Sequence, residues 1–162
     1  MSIRITLDGK VIVSVPMRIS FERAKEFMYL KQNWILRHLR TMETKTQISL
    51  SKIAWGSEAE AHFLQLVLHY WQYFEKDNLS FPTIRFRKMK SSWGICRKVR
   101  GIITLNKALI HVPKECQAYV VVHEMSHLIE ANHSKAFYRV MARIMPEYKE
   151  YEERLKQYAI QD

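Results

Sequence analysis

His123-Glu124-Met125-Ser126-His127 sets two imidazoles and a carboxylate at a spacing that could do metal chemistry. In a helix, residues four apart lie about 40° apart around the axis, so His123 and His127 would project side by side. Two neighbouring imidazoles can share one zinc ion at about 2.0–2.1 Å each. Glu124, next to the first of them, can take a proton from a water activated there, as general base. Ala118, Val121, Val122, Met125 and Ile129 form an apolar stripe at helical spacing, which predicts burial of that face. The two histidines point roughly opposite, together with Cys116 and Val120.

His133 is the natural third ligand. It lies six residues beyond His127, too far round for a continuous helix to keep it on the ligand face. The helix must therefore stop near Ala131, with Asn132 suited to the left-handed conformation that often ends helices. Ser134 can cap a following helix. Glu130 is the competing third ligand, although it points to another side of the helix. Three protein ligands leave a fourth position for water, which marks a catalytic rather than a structural site. The resulting expectation is one Zn2+ per chain on His123, His127 and His133, with Glu124 as the catalytic residue.

The elements that must position these groups are legible in part. Ile3, Ile5 and Leu7, then Val11, Val13 and Val15, alternate with polar residues around Asp8-Gly9, which predicts an N-terminal β-hairpin. Ser20 can cap a helix over residues 21–39, whose stripe includes Phe21, Ala24, Met28, Ile35 and Leu39. Residues 41–56 read as a connection with a short strand at 48–53. Ser57 and Glu60 suggest a capping box for a largely buried helix over 57–74. His62 and His69, seven apart on that helix, read as packing or surface residues. Residues 81–105 read as a small antiparallel sheet with strands at 84–86, 91–96 and 101–105 and a turn at 98–101. Asn106 is placed to cap the strand exit or support the site. Pro113 suits the first turn of the histidine helix. Phe137, Val140, Met141 and Ile144 form the stripe of the next helix, which Pro146 stops. A last helix is expected over 147–158.

Composition bounds the rest. A chain of 162 residues, 48% hydrophobic and 12% aromatic, is enough for one domain with a real core. No apolar run is long enough to span a membrane, and the first ten residues lack the pattern of a signal peptide. Cys96 and Cys116 lack Cys-x-x-Cys spacing and read as free thiols of a reducing, cytoplasmic setting, with a zinc site using both as the alternative. The net charge is +10, and residues 81–114 carry nine Lys or Arg and no acidic residue. Such a field favours anionic partners, nucleic acid or acidic polypeptide, with a merely well-solvated basic face as the other reading.

The ordered string Trp93-Gly94-Ile95-Cys96, Gly101-x-Ile103-x-Leu105-Asn106, Pro113, Tyr119-Val120-Val121-x-His123-Glu124-x-x-His127-Leu128, Asn132-His133-Ser134, Phe137 and Pro146 resembles the zinc metallopeptidases of the YgjP-like family. The opening ribbon and the helix containing Trp34 also look like that family's N-terminal part. The resemblance implies a zincin-like α+β fold and a single metallopeptidase domain over residues 1–162, with a catalytic part at about 81–162. It implies a zinc peptidase acting on protein or peptide, and it is similar in turn to the SprT-like group, whose members act near DNA. Ile95, where the family usually has a small Ser, and Tyr138, where a Trp is common, depart from the pattern and bear on the substrate cleft. The Trp93–Cys96 and Gly101–Leu105 strands could form the edge beside the metal, to which an extended peptide adds by backbone hydrogen bonds, a pairing that proline substitutions along the edge would abolish. The rival class is a nucleic-acid-binding module with a structural metal, against which the absence of helix-turn-helix or finger spacing weighs. A hydrolase of a non-peptide amide is a third reading. Oligomeric state is not legible.

Overall fold

The structure, a computed structural model, describes residues 1–6 and 10–161. The chain packs as two compact units, Met1–Thr46 and Gln47–Asp162.

In the first unit, β1 (Ser2–Ile5) pairs antiparallel with β2 (Val11–Ser14), Ile5 opposite Val11. Thr6 N donates to Lys10 O at 2.9 Å beyond the last pair. Leu7 and the expected Asp8-Gly9 turn lie outside the described residues. Helix α1 (Phe21–Glu43) starts on Ser20, whose Oγ accepts from Arg23 N at 3.4 Å. It runs beyond the expected end at Leu39. Its stripe is less buried than the periodicity implies: Ala24 and Ile35 are buried, while Phe21 and Leu30 are 77% and 82% exposed. Length accounts for this. A helix of 23 residues spans roughly 35 Å, whereas a four-residue strand covers roughly 13 Å, so the ribbon cannot sheathe it.

In the second unit, β3 (Thr46–Ser49) pairs with β7 (Tyr158–Gln161), and Leu50 N donates to Gln161 O at 2.9 Å. The last helix, α5 (Tyr148–Leu155), is therefore shorter than expected, and Tyr158 sits in a strand. Helix α2 (Ser57–Trp71) has Gly56 as its N-cap with no side-chain bond, so the expected Ser57/Glu60 capping box is absent. Glu60 Oε1 instead accepts from Trp55 Nε1 at 3.1 Å. Phe63 and Val67 are buried on α2, but Leu64 and Leu68 are exposed, so this helix is half rather than largely buried.

The main sheet has order β4-β6-β5, from β4 (Thr83–Arg87), β5 (Gly94–Arg97) and β6 (Ile102–Asn106). β5 and β6 are antiparallel as expected, but β4 and β6 are parallel, so the sheet is mixed. Gly101, at φ +58°, makes the sharp turn into β6 after a 3-10 turn at Lys98–Arg100, a conformation that glycine adopts without steric cost. The inner face buries Ile103 and Leu105, and Phe86 meets the rings of Trp55 and Phe63. Helix α3 (Lys114–Ile129) lies beneath, in contact with β5, β6, α2, α5 and α4 (Lys135–Ile144). Burial is not confined to one stripe of α3, because Cys116, Tyr119, Val120 and Leu128 are buried as well as Val121, Val122 and Met125. Ser126 and Gln117, buried on the same helix, bond to Val122 O and Val112 O.

Fully buried Asn106 organises the loop ahead of β5. Its Nδ2 donates to Met89 O at 2.6 Å and Ser92 O at 2.8 Å, and its Oδ1 accepts from Ala108 N at 3.0 Å. Leaving these backbone groups unpaired is costly. Asn106→Ala is expected to lower unfolding free energy by about 2–4 kcal/mol, read from urea denaturation; a change within about 0.5 kcal/mol would contradict this role.

Candidate metal centre

Three histidines converge. His123 and His127 sit one turn apart on α3, and His133 comes from the segment between α3 and α4. Their Nε2 atoms lie 3.3 Å (His123–His127), 3.1 Å (His127–His133) and 3.0 Å (His133–His123) apart. Donor atoms on a tetrahedral zinc ion stand roughly 3.3 Å apart when each bond is about 2.0–2.1 Å. The triangle thus has the right size for one such ion. Among the described residues, these three form the one group of His, Cys, Asp or Glu whose ligand atoms could share a metal ion.

Local structure explains the convergence. α3 ends at Ile129, and Glu130 turns extended at φ −128°, ψ 113°. Lys98 Nζ reaches across to cap the free Ile129 carbonyl at 2.7 Å, a cation at the negative end of the helix. Asn132 is not left-handed; among the described residues only Asn78 has a positive φ apart from Gly101. The chain instead turns through a Ser134 N to Asn132 O bond of 2.7 Å. Ser134 Oγ then accepts from Ala136 N and Phe137 N, opening α4 as expected.

The nitrogens that face away from the triangle are also placed. His127 Nδ1 lies 3.1 Å from Glu130 O, so it carries the proton and leaves a lone pair on Nε2. His123 Nδ1 lies 3.5 Å from the buried Tyr119 hydroxyl. Such outward partners fix the orientation of a metal-binding imidazole. Glu130, the competing third ligand, thus contributes its carbonyl rather than its carboxylate. Burial, reinforced by His127 and His133 alongside, holds His123 down to a pKa of about 4. Burial also lowers His127. Neutral imidazoles with convergent lone pairs suit a cation, so the donor chemistry fits zinc.

Phe137, fully buried on α4, floors the cluster with its ring 5.0, 4.6 and 4.8 Å from the rings of His123, His127 and His133. In the sequence it reads as part of a helix stripe and of the string that resembles the family, neither of which reveals this contact. Tyr138 stands at the rim, its ring 6.4 Å from His133 and stacked on Tyr148 at 5.9 Å.

Glu124 leaves α3 toward the inner face of β5. It is 6% exposed, and burial raises its pKa to about 7 against the lowering effect of a bond from the Cys96 backbone N–H. Gly94 makes this approach possible. A Cβ there would stand 2.5 Å from Glu124 Cγ and 2.6 Å from Oε1. Spacing alone does not reveal that need, since it depends on a strand and a helix meeting from distant parts of the chain. Cys96 and Cys116 are free, and burial pushes the Cys96 thiol up to about 11 and raises that of Cys116, so neither offers a thiolate at neutral pH. Gly94→Ala is expected to cost about 1–3 kcal/mol by overpacking. In a Glu124→Ala background, where the opposing atoms are gone, the same change should cost under about 0.5 kcal/mol. Equal costs in the two backgrounds, measured by denaturation, would contradict the contact.

The sequence profile of the YgjP-like metallopeptidase domain matches residues 1–62 and 52–158. No curated protein sequence matches. Among solved structures, the metallopeptidase zymogen of Pyrococcus abyssi abylysin is similar, with 26% identity and a TM-score of 0.53 over 61% of this chain and 99% of that one. The fold is accordingly α+β of the zincin-like kind, with a mixed sheet over the histidine helix. By the extent of the profile match, this chain belongs to the YgjP-like metallopeptidase family.

Proposed function

We propose that the chain is a zinc peptidase in which His123, His127 and His133 hold one zinc ion and Glu124 is the general base. The observation that carries this reading is the convergence of three Nε2 atoms at 3.0–3.3 Å, two of them on the helix that also carries Glu124. Zinc, when bound, supplies Lewis acidity that polarises a carbonyl and acidifies water. The chain supplies the rest. Glu124, with a pKa raised to about 7 by burial, can accept a proton and release it near neutral pH, as a base that must later protonate a leaving amine requires. The Cys96 N–H holds that carboxylate, while Gly94 leaves it room. β5 lies at the edge of its sheet, whereas β6, expected to share that edge, is the central strand, so an extended polypeptide can pair with β5 beside Glu124 by backbone hydrogen bonds.

Residues 1–162 are read as one functional domain of this family, with all of the proposed chemistry in the second unit. No helix of the described residues is long and apolar enough to cross a membrane. The unpaired cysteines support a reducing compartment, taken here to be the cytoplasm. A structural metal in a nucleic-acid module is disfavoured, since structural zinc is usually closed by four protein ligands and the cluster offers three. A non-peptide amide substrate lacks a specific observation in its favour.

Glu124→Gln should keep about one zinc per chain and lose hydrolysis of a denatured protein or a peptide library by about 100-fold or more. Elemental analysis and mass-spectrometric detection of cleavage check both halves. Undiminished cleavage by the variant would remove Glu124 from the chemistry.

A further inference from the structure

The outer face of the β4-β6-β5 sheet plays no part in this chemistry. Side chains alternate along a strand, so the strand whose Gly94 and Cys96 face Glu124 turns Ile95 and Arg97 the other way. In the same register, Arg85 stands level with Thr104 and Ile95, and Arg97 stands level with Thr83. Arg85, Arg87 and Arg97 therefore share the outer face, and all three are exposed. None has a carboxylate partner among the described residues, where the ion pairs involve Arg143, Arg154 and Lys156. The stretch from 81 to 114 contains no acidic residue that could neutralise them. The result is an uncompensated positive field on a hydrogen-bonded platform.

We propose that this face binds nucleic acid through the phosphate backbone, without preference for base sequence. Three observations favour phosphodiesters. The side chains on the face are arginines, whose planar fork pairs bidentately with phosphate oxygens. Arg85 and Arg87, two residues apart on one strand, are separated by roughly 6.6 Å, far enough for each to reach a different phosphate of one backbone. Arg97, two strands away at roughly 10 Å, engages a different part of the backbone. The face carries threonine and isoleucine between the arginines and no aromatic ring in the strands' outward positions. It therefore lacks the stacking platform on which single strands are held, and the partner it fits is a duplex. This binding does not depend on the zinc or on Glu124.

The test is fluorescence anisotropy of the full chain with a labelled duplex across a salt series. Wild type should show affinity that falls with salt. Each phosphate contact contributes about 0.9 to the slope of log K against log salt, so R85Q/R87Q/R97Q should flatten it by about 2.7 and raise Kd about tenfold or more. K31Q/R37Q/R40Q removes as many charges from exposed positions of α1 and should leave slope and Kd nearly unchanged. Circular dichroism checks the fold. If the triple variant unfolds, the three single substitutions carry the test, each flattening the slope by about 0.9. Absence of salt-dependent binding by wild type, an unchanged slope in the arginine variant, or an equal loss in the α1 variant would each overturn the proposal. Competition by polyglutamate as strong as by unlabelled duplex would overturn it in favour of an acidic polypeptide.

Discussion

Three imidazoles aim their Nε2 atoms at one point, and the second unit is built to hold them there. Phe137 fills the space beneath, Glu130 O fixes one outward nitrogen, and Lys98 caps the last carbonyl of α3 before the chain returns at His133. A zinc ion bound there would take one donor from each ring.

The main sheet separates two sets of side chains by the period of two along a strand. On β5, Gly94 and Cys96 face inward, one yielding space to Glu124 and the other its N–H. Ile95 and Arg97 face out with the arginines of β4. A shift of register by one residue would exchange the two sets, placing a cation against the buried carboxylate and a glycine in solvent. Asn106, which binds the 89–92 loop to the end of β6, pins that register.

Much of the candidate site was legible because it is local. His123, Glu124 and His127 lie within two turns of one helix, and the break before Ser134 follows from helix geometry and a capping side chain. The resemblance to the YgjP-like family, carried by these residues together with the Trp93–Asn106 string, Phe137 and Pro146, proved correct. What stayed hidden depends on distant segments. β7 pairs with β3 from the other end of the chain, and β4 meets β6 in parallel across an intervening strand. Neither leaves a short-range pattern. Gly94 and Phe137 are ordinary in their own segments and become special only where β5 meets Glu124 and α4 meets the histidines. The misplaced features, the left-handed Asn132 and the capping box at Ser57, were local preferences overridden by the turn at 130–134 and by Trp55 drawing Glu60 away.

The most direct measurement is X-ray absorption at the zinc edge, on the zinc-loaded chain and on its His133→Ala variant. The three-histidine site requires a nitrogen and oxygen shell at about 2.0–2.1 Å with the outer scattering of imidazole, and weaker imidazole scattering in the variant. A sulfur shell at about 2.3 Å, or a spectrum unchanged by loss of His133, would contradict it.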